Sequence, residues 1–447
     1  MRLALALLAV ACACGSSSST SPDGGGGGGD DDGSLDPTGD GGTGGHAVKL
    51  TLVNRPLDGA PFSFFVAYQD GSAPWQAAPA PAGDTYTLSI HAPTYSVAYG
   101  CIAPASNTTD TELRTVTMAQ FALGERTELS FDVPARCSDR GEAPVTLSGT
   151  VTSRPWGGFL FVQFGDRSAF VGGQSGGFAL QTPPGTHDLF VAHGLPEGNG
   201  EYVVDRVAVV RDLAVTGTTS RTIDFDTAEP TQTFGVDVDL GFSSARVVAA
   251  TTLYTDNGTA LGTVRESQGW QSEVLAATQM RASDVYDQAV AINTPGRSVT
   301  LTSANGDPGA QTVVPPPALG AVDSSVPAKA PYPIIETTWP AYPDSIGYAW
   351  NATQQLAPQD CGGNRACVVA WTAYVSPGVT GEQPAYRMPV LAGLPGWDAG
   401  FELAASEQVV GSVTAQTSSA GAGDFPPGVP ASGTERAFVR TDFAVTP

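Results

Sequence analysis

Thr85-Tyr86-Thr87-Leu88-Ser89-Ile90 and Thr94-Tyr95-Ser96-Val97-Ala98-Tyr99 stand on either side of His91-Ala92-Pro93. In each half, large apolar residues alternate with small or hydroxylated ones, which is the period of a half-buried β-strand. The spacing predicts two strands, with Ala92-Pro93 between them as the bend of a hairpin. Upstream, Val48, Leu50 and Leu52 alternate with Lys49 and Thr51, and Phe62 to Tyr68 forms a more fully apolar run. Downstream, Phe131 and Val133 close the pattern just before Cys137. Short runs separated by Gly, Pro, Asp, Asn and Ser indicate a β-sandwich, and no capped amphipathic helix interrupts them.

A second segment, 144–227, reads the same way and carries a resemblance. Ser148-Gly149-Thr150-Val151 opens it, Ser175-Gly176-Gly177-Phe178-Ala179-Leu180 follows, and then Pro183-Pro184-Gly185-Thr186-His187-Asp188-Leu189. These three stretches resemble the carboxypeptidase regulatory-like domain, a transthyretin-type β-sandwich. His187 stands where that family usually has Tyr. The resemblance implies a non-catalytic accessory fold and carries over no active site.

The remaining residues divide at the Pro/Ala-rich stretch from Pro315 to Pro333. Segments 228–320 and 330–447 are expected to form a third and a fourth β module. Phe234, Val236, Val238 and Leu240 alternate in the former; Ile346, Tyr348 and Trp350 do so in the latter. Glu273 to Gln288 is open to two readings, a helix or a loop followed by a strand. The expected architecture is all-β, with Ig-like or transthyretin-like sandwiches in tandem: 46–140, 144–227, 228–320 and 330–447. No repeat of fixed period relates them.

The amino terminus predicts an address. Met1-Arg2, an apolar run from Leu3 to Ala11, and then Cys12-Ala13-Cys14-Gly15 resemble a bacterial lipoprotein signal peptide, residues 1–14. That resemblance implies acylation of Cys14 or Cys12 and a membrane partner through the lipid. The expected location is the cell envelope, anchored in the outer membrane and facing the periplasm or the cell surface. Residues 15–45 are Gly, Ser, Asp, Thr and Pro with one Leu, and too little apolar surface to fold. They are expected to form a disordered tether whose ends lie roughly 30 Å apart. Asp30-Asp31-Asp32-Gly33 reads as solvated linker rather than as a calcium loop.

The net charge of −23, with lysine only at Lys49 and Lys329, argues against nucleic acid as a partner. An even set of exported cysteines predicts disulfides, Cys101 with Cys137 and Cys361 with Cys367, because each pair is close in sequence. No metal site is expected: the four histidines, His46, His91, His187 and His193, read as surface residues. Gly173-Gln174-Ser175-Gly176-Gly177 matches the nucleophile-elbow pattern, but apolar strands on both sides make it a hairpin turn. Asp224/Asp226 and Asp237/Asp239 read as solvated neighbours on the outer faces of strands. No cofactor and no catalytic residue is assigned. Trp339, Tyr348, Trp350 and Trp371 are the candidate ligand platform, for a glycan if the rings are exposed. The expected function is a non-enzymatic, lipid-anchored binding or structural protein whose partner is a glycan or an envelope protein, with a secreted hydrolase as the alternative.

Overall fold

The computed structural model describes residues 45–56, 63–103, 111–134, 137, 144–153, 155, 157–165, 167–171, 176–197, 201–238, 246–257, 260–265, 270–305, 311–361, 366–405 and 407–447. Within them the regular structure is almost entirely strand. The first segment contains β1 (His46–Val53), β2 (Phe64–Asp70), β3 (Gln76–Ala77), β4 (Thr85–Ile90), β5 (Thr94–Ala103), β6 (Glu112–Ala122) and β7 (Glu128–Asp132). The second contains β8 (Val145–Thr152), β9 (Phe159–Phe164), β10 (Arg167–Val171), β11 (Gly177–Thr182), β12 (Gly185–Glu197), β13 (Glu201–Val215) and β14 (Thr219–Asp224). A short β15 (Glu229–Pro230) follows. The third contains β16 (Gln232–Val238), β17 (Arg246–Tyr254), β18 (Ala260–Arg265), β19 (Trp270–Val274), β20 (Val285–Thr294), β21 (Arg297–Asn305) and β22 (Gln311–Val313). The last contains β23 (Asp323–Ala328), β24 (Ile334–Thr338), β25 (Gly347–Leu356), β26 (Cys367–Val375), β27 (Ala385–Arg387), β28 (Val409–Ser418) and β29 (Glu435–Val445).

One topology is repeated. In the first segment β4-β1-β7 form a three-stranded sheet, and β6-β5-β2-β3 run in the facing one. The second segment repeats this as β11-β8-β14 against β13-β12-β9-β10, and the third as β19-β16-β22 against β21-β20-β17-β18. In each, the opening strand lies in the middle of the small sheet, with the closing strand parallel to it. The last unit is a variant. β27-β24 and β29-β28-β25-β26 fill the same places, but the third strand of the small sheet, β23, precedes β24 and therefore runs antiparallel to it. The repeat has no fixed sequence period because sandwich packing constrains only which positions are apolar, not loop length or residue identity.

The units are not separate bodies along the chain. A twelve-stranded sheet joins the large sheets of the first, last and third units, in the order β18-β17-β20-β21-β29-β28-β25-β26-β6-β5-β2-β3. β6 pairs in parallel with β26, from Glu112↔Cys367 to Gln120↔Val375, and β29 pairs with β21. At the first seam, the cover sheets lie on opposite faces of the joined sheet. Phe65, Ala98, Val116 and Met118 of the first unit therefore share a buried cluster with Tyr332, Tyr386, Leu391 and Phe401 of the last. On the other face, Phe425 of the last unit is buried among Val48, Leu50, Tyr95 and Phe121. Arg114 clamps the seam, donating to the carbonyls of Cys361 (2.7 Å) and Gly400 (3.4 Å).

The stretch from Thr85 to Tyr99 corrects the hairpin expectation. β4 pairs with β1, whereas β5 pairs with β2 and β6, so the two runs lie in different sheets. Both present their apolar residues to one core: Tyr86, Leu88 and Ile90 face Tyr95, Val97 and Tyr99. Alternation specifies a buried face but not a hydrogen-bonding partner. The Asp70 carboxylate fixes the crossing, accepting from the backbone N–H of His91 (3.0 Å) and Ala92 (2.8 Å). Its hydrogen bonds from Ala92 and His91 outweigh the effect of burial and hold its carboxyl below the usual range. Between Glu273 and Gln288 the loop-then-strand reading holds: β19 ends at Val274 and β20 starts at Val285.

Candidate functional site

The predicted aromatic platform is core. Trp350 and Trp371 are fully buried, and Trp339 and Tyr348 nearly so. Tyr348, Trp350 and Trp371 sit on the inward faces of β25 and β26, because the small sheet β23-β24-β27 and the loop after it cover that side, and Trp339 follows the end of β24. Burial demands partners for the ring N–H groups. Trp350 Nε1 donates to Thr337 Oγ1 and Trp371 Nε1 to the Phe401 carbonyl, both at 2.9 Å. Trp339 has no partner for its indole N–H among the described residues. No face of Trp350 or Trp371 is open to a sugar, and the glycan reading loses the rings assigned to it. Trp397, absent from the predicted set, stacks on Tyr332 at the margin of this cluster and is half-buried.

Both predicted disulfides are present, Cys101–Cys137 and Cys361–Cys367. Cys12, Cys14, the 15–44 part of the tether, Ser175 and Asp239 lie outside the described residues. The Asp224/Asp226 pair does not share a strand face. β14 ends at Asp224, whose side chain accepts from the Asp226 N–H (3.2 Å) and caps a 3₁₀ turn, Phe225–Thr227. His193 corrects the surface assignment. It is buried, with Nδ1 2.6 Å from Asp205 Oδ1 and Nε2 3.0 Å from the Gly157 carbonyl oxygen. His187 is half-buried, its Nδ1 2.8 Å from the Asn257 carbonyl oxygen.

The residues that the fold does bring together lie where the second unit meets the third. The outward face of β12 and β13 carries Phe190, Ala192, Val204 and Val207, packed on Leu253, Leu261, Leu275 and Tyr286. Beside this apolar contact runs a charged clasp. Arg211, in the second half of β13, donates to Asp188 Oδ2 (2.8 Å), Asp284 Oδ2 (2.6 Å) and the Gln279 carbonyl (2.8 Å). Asp188 and Asp284 are buried. Asp188 also accepts from the Asp212 N–H (2.9 Å) and from Asn257 Nδ2 (3.1 Å). Burial alone would raise the Asp188 carboxyl; the hydrogen bonds from Asp212, Arg211 and Asn257 outweigh it and hold it below the usual range. Burial would likewise lower Arg211, but its bonds to Asp284 and Asp188 raise it. At the rim Asp212 pairs with Arg281 and accepts from Asn257, which brings its carboxyl down to about 2. A buried charge network of this kind is costly unless every member is paired, so it sets the mutual placement of the units more than their stability.

The apolar face of the second unit is wider than its cover. Phe161 on β9 borders the contact with the third unit. Beyond it Phe170, on β10, packs on Phe161 (ring centroids 5.1 Å) and Phe159 (5.6 Å) and is 64% exposed. No other large apolar residue of an aromatic type is as open among the described residues. The sequence signal was available in Phe159-Leu160-Phe161-Val162-Gln163-Phe164, an apolar run broken only by Gln163, which marks a strand covered on both sides. What it could not show is that the cover stops at Phe161.

No helix among the described residues is long and apolar enough to cross a membrane, and no group of His, Cys, Asp and Glu there could hold a metal ion. The sequence matches no family model and no curated protein. Among solved structures it is similar to a candidate adhesin from Bacteroides ovatus, at 12% identity over 40% of this chain and 91% of that one, with a TM-score of 0.16. It is also similar to the Bacillus anthracis TIE protein, at 12% identity over 61% of this chain and 50% of that one, with a TM-score of 0.15.

Proposed function

We propose that this chain is a non-catalytic, lipid-anchored protein of the bacterial cell envelope, and that it binds another envelope protein through the aromatic margin of its second unit. The observation that carries the binding part is Phe170, a phenylalanine 64% exposed at the edge of a face whose other half is already a protein contact. An apolar patch that continues a packed interface favours a protein surface over a soluble polar ligand. The lipoprotein-type start, Met1 to Gly15, supports the anchor, and the Gly/Ser/Asp tether supplies reach. The paired charges of the clasp and the twelve-stranded sheet support a stiff body that presents the margin in one orientation.

Two measurements test this reading. Metabolic labelling with a fatty acid should mark the wild-type chain, and replacing both Cys12 and Cys14 with alanine should abolish the label. For binding, the Phe170→Ser chain should retain less envelope protein on an affinity column than wild type. Equal retention by the two would remove the margin as the binding surface.

A further inference from the structure

Because the units repeat one topology, an edge used in one has a counterpart in the others. In the last unit the outermost strand of the large sheet, β26, is not an edge: β6 lies beside it in parallel. A second layer arrives with β6. Phe131, on β7 of the first unit, stacks on Tyr374, which stands on the outward face of β26 (centroids 5.9 Å, interplanar angle 26°). The first unit therefore docks in two ways at once, by its backbone edge and by an aromatic of its cover sheet.

In the second unit the matching strand is β10, and among the described strands it pairs only with β9. Phe170 occupies on β10 the place of Tyr374 on β26. Tyr374 lies opposite Ala349 on the second strand of its unit, and Phe170 lies opposite Phe161. Resting on the reading of the Phe170 margin as the binding surface, we infer that β10 takes up a β-strand of a partner protein, in parallel, with apolar side chains of the partner lying over Phe170. Strand addition of this kind draws affinity from the main chain and specificity from alternate side chains.

The backbone is set for it. A two-residue connection joins β9 to β10, with Gly165 at φ +55°, and such a connection makes Phe164 and Arg167 a hydrogen-bonded pair. By alternation the N–H groups of Ala169 and Val171 then turn toward β9, while those of Ser168 and Phe170 turn outward. With a net charge of −23, the chain disfavours a strand rich in Asp and Glu.

The probe is a synthetic peptide with the sequence of β6, Glu112 to Ala122, which is the strand that fills the equivalent edge. Added to the full-length chain, it should slow amide hydrogen exchange at Ser168 and Phe170 by about tenfold or more. Ser168→Pro removes one outward N–H and leaves the β9 ladder whole, so in that variant the slowing should vanish. No slowing in wild type, or equal slowing in Ser168→Pro, overturns strand addition. Those results are separable from failure of the surface itself. If Phe170→Ser lowers envelope-protein retention while the peptide leaves β10 unprotected, the surface stands and strand addition falls. If Phe170→Ser changes nothing yet the peptide protects β10 in wild type and not in Ser168→Pro, strand addition stands and the Phe170 reading falls.

Discussion

Replacing Asp188 with alanine leaves the Arg211 guanidinium with half its carboxylate partners in a buried setting. Breaking a buried ion pair on one side costs about 3–5 kcal/mol, so Asp188→Ala should lower the unfolding free energy of the second and third units by about that much in denaturant titrations. The acid response has the same origin. Asp188 and Asp212 are both held below the ordinary carboxylate range in the folded chain. As pH falls through about 4, the unfolded chain takes up protons that the folded chain refuses. The stability from these carboxylates is therefore complete above that pH, declines below it, and for Asp212 is gone once pH passes below about 2. Thermal denaturation between pH 5 and pH 2 would show the midpoint falling steadily in wild type and falling less in Asp188→Ala. At the core, Trp371→Ala removes a fully buried ring and a satisfied N–H, with an expected cost of about 3–5 kcal/mol in chemical denaturation.

Among the elements, strands and cross-links differ in what they hold. Cys101–Cys137 closes a loop of 36 positions and Cys361–Cys367 one of 6. In the chain-entropy account the first stabilises by about 4 kcal/mol and the second by about 2. Serine replacement of each pair should show that order in denaturant titrations. β26 lies between β25 and β6, and a proline there cannot donate to the ladder. Ala370→Pro should accelerate amide exchange in β5 and β6 as well as in β25, while β8 to β14 keep wild-type protection. Confinement of the change to β25 and β26 would show that the seam is dispensable to the first unit. The strands themselves were legible: the Val48-Leu50-Leu52 alternation became β1, and the Tyr86 to Tyr99 stretch became β4 and β5. Their partners were not, because an alternating strand pairs equally well with any edge that buries the same face.

In the whole molecule, the first and last units share buried clusters on both faces of one sheet and form a single body, with the second and third units inserted between them in sequence. A protease site introduced between Asp139 and Pro144, cut after folding, should leave the two pieces co-eluting in native size-exclusion chromatography; separation without denaturant would contradict a shared core. The candidate site follows the same division. The sequence by itself determined the all-β class, the alternating faces and the two disulfides, because periodicity, turn residues and short cysteine spacings are local properties. Only the tertiary structure decided that Trp350 and Trp371 face inward, that β6 finds its partner in β26, and that cover stops between Phe161 and Phe170. Each of those outcomes depends on which distant part of the chain arrives to cover a face or an edge, and no local pattern encodes that arrival.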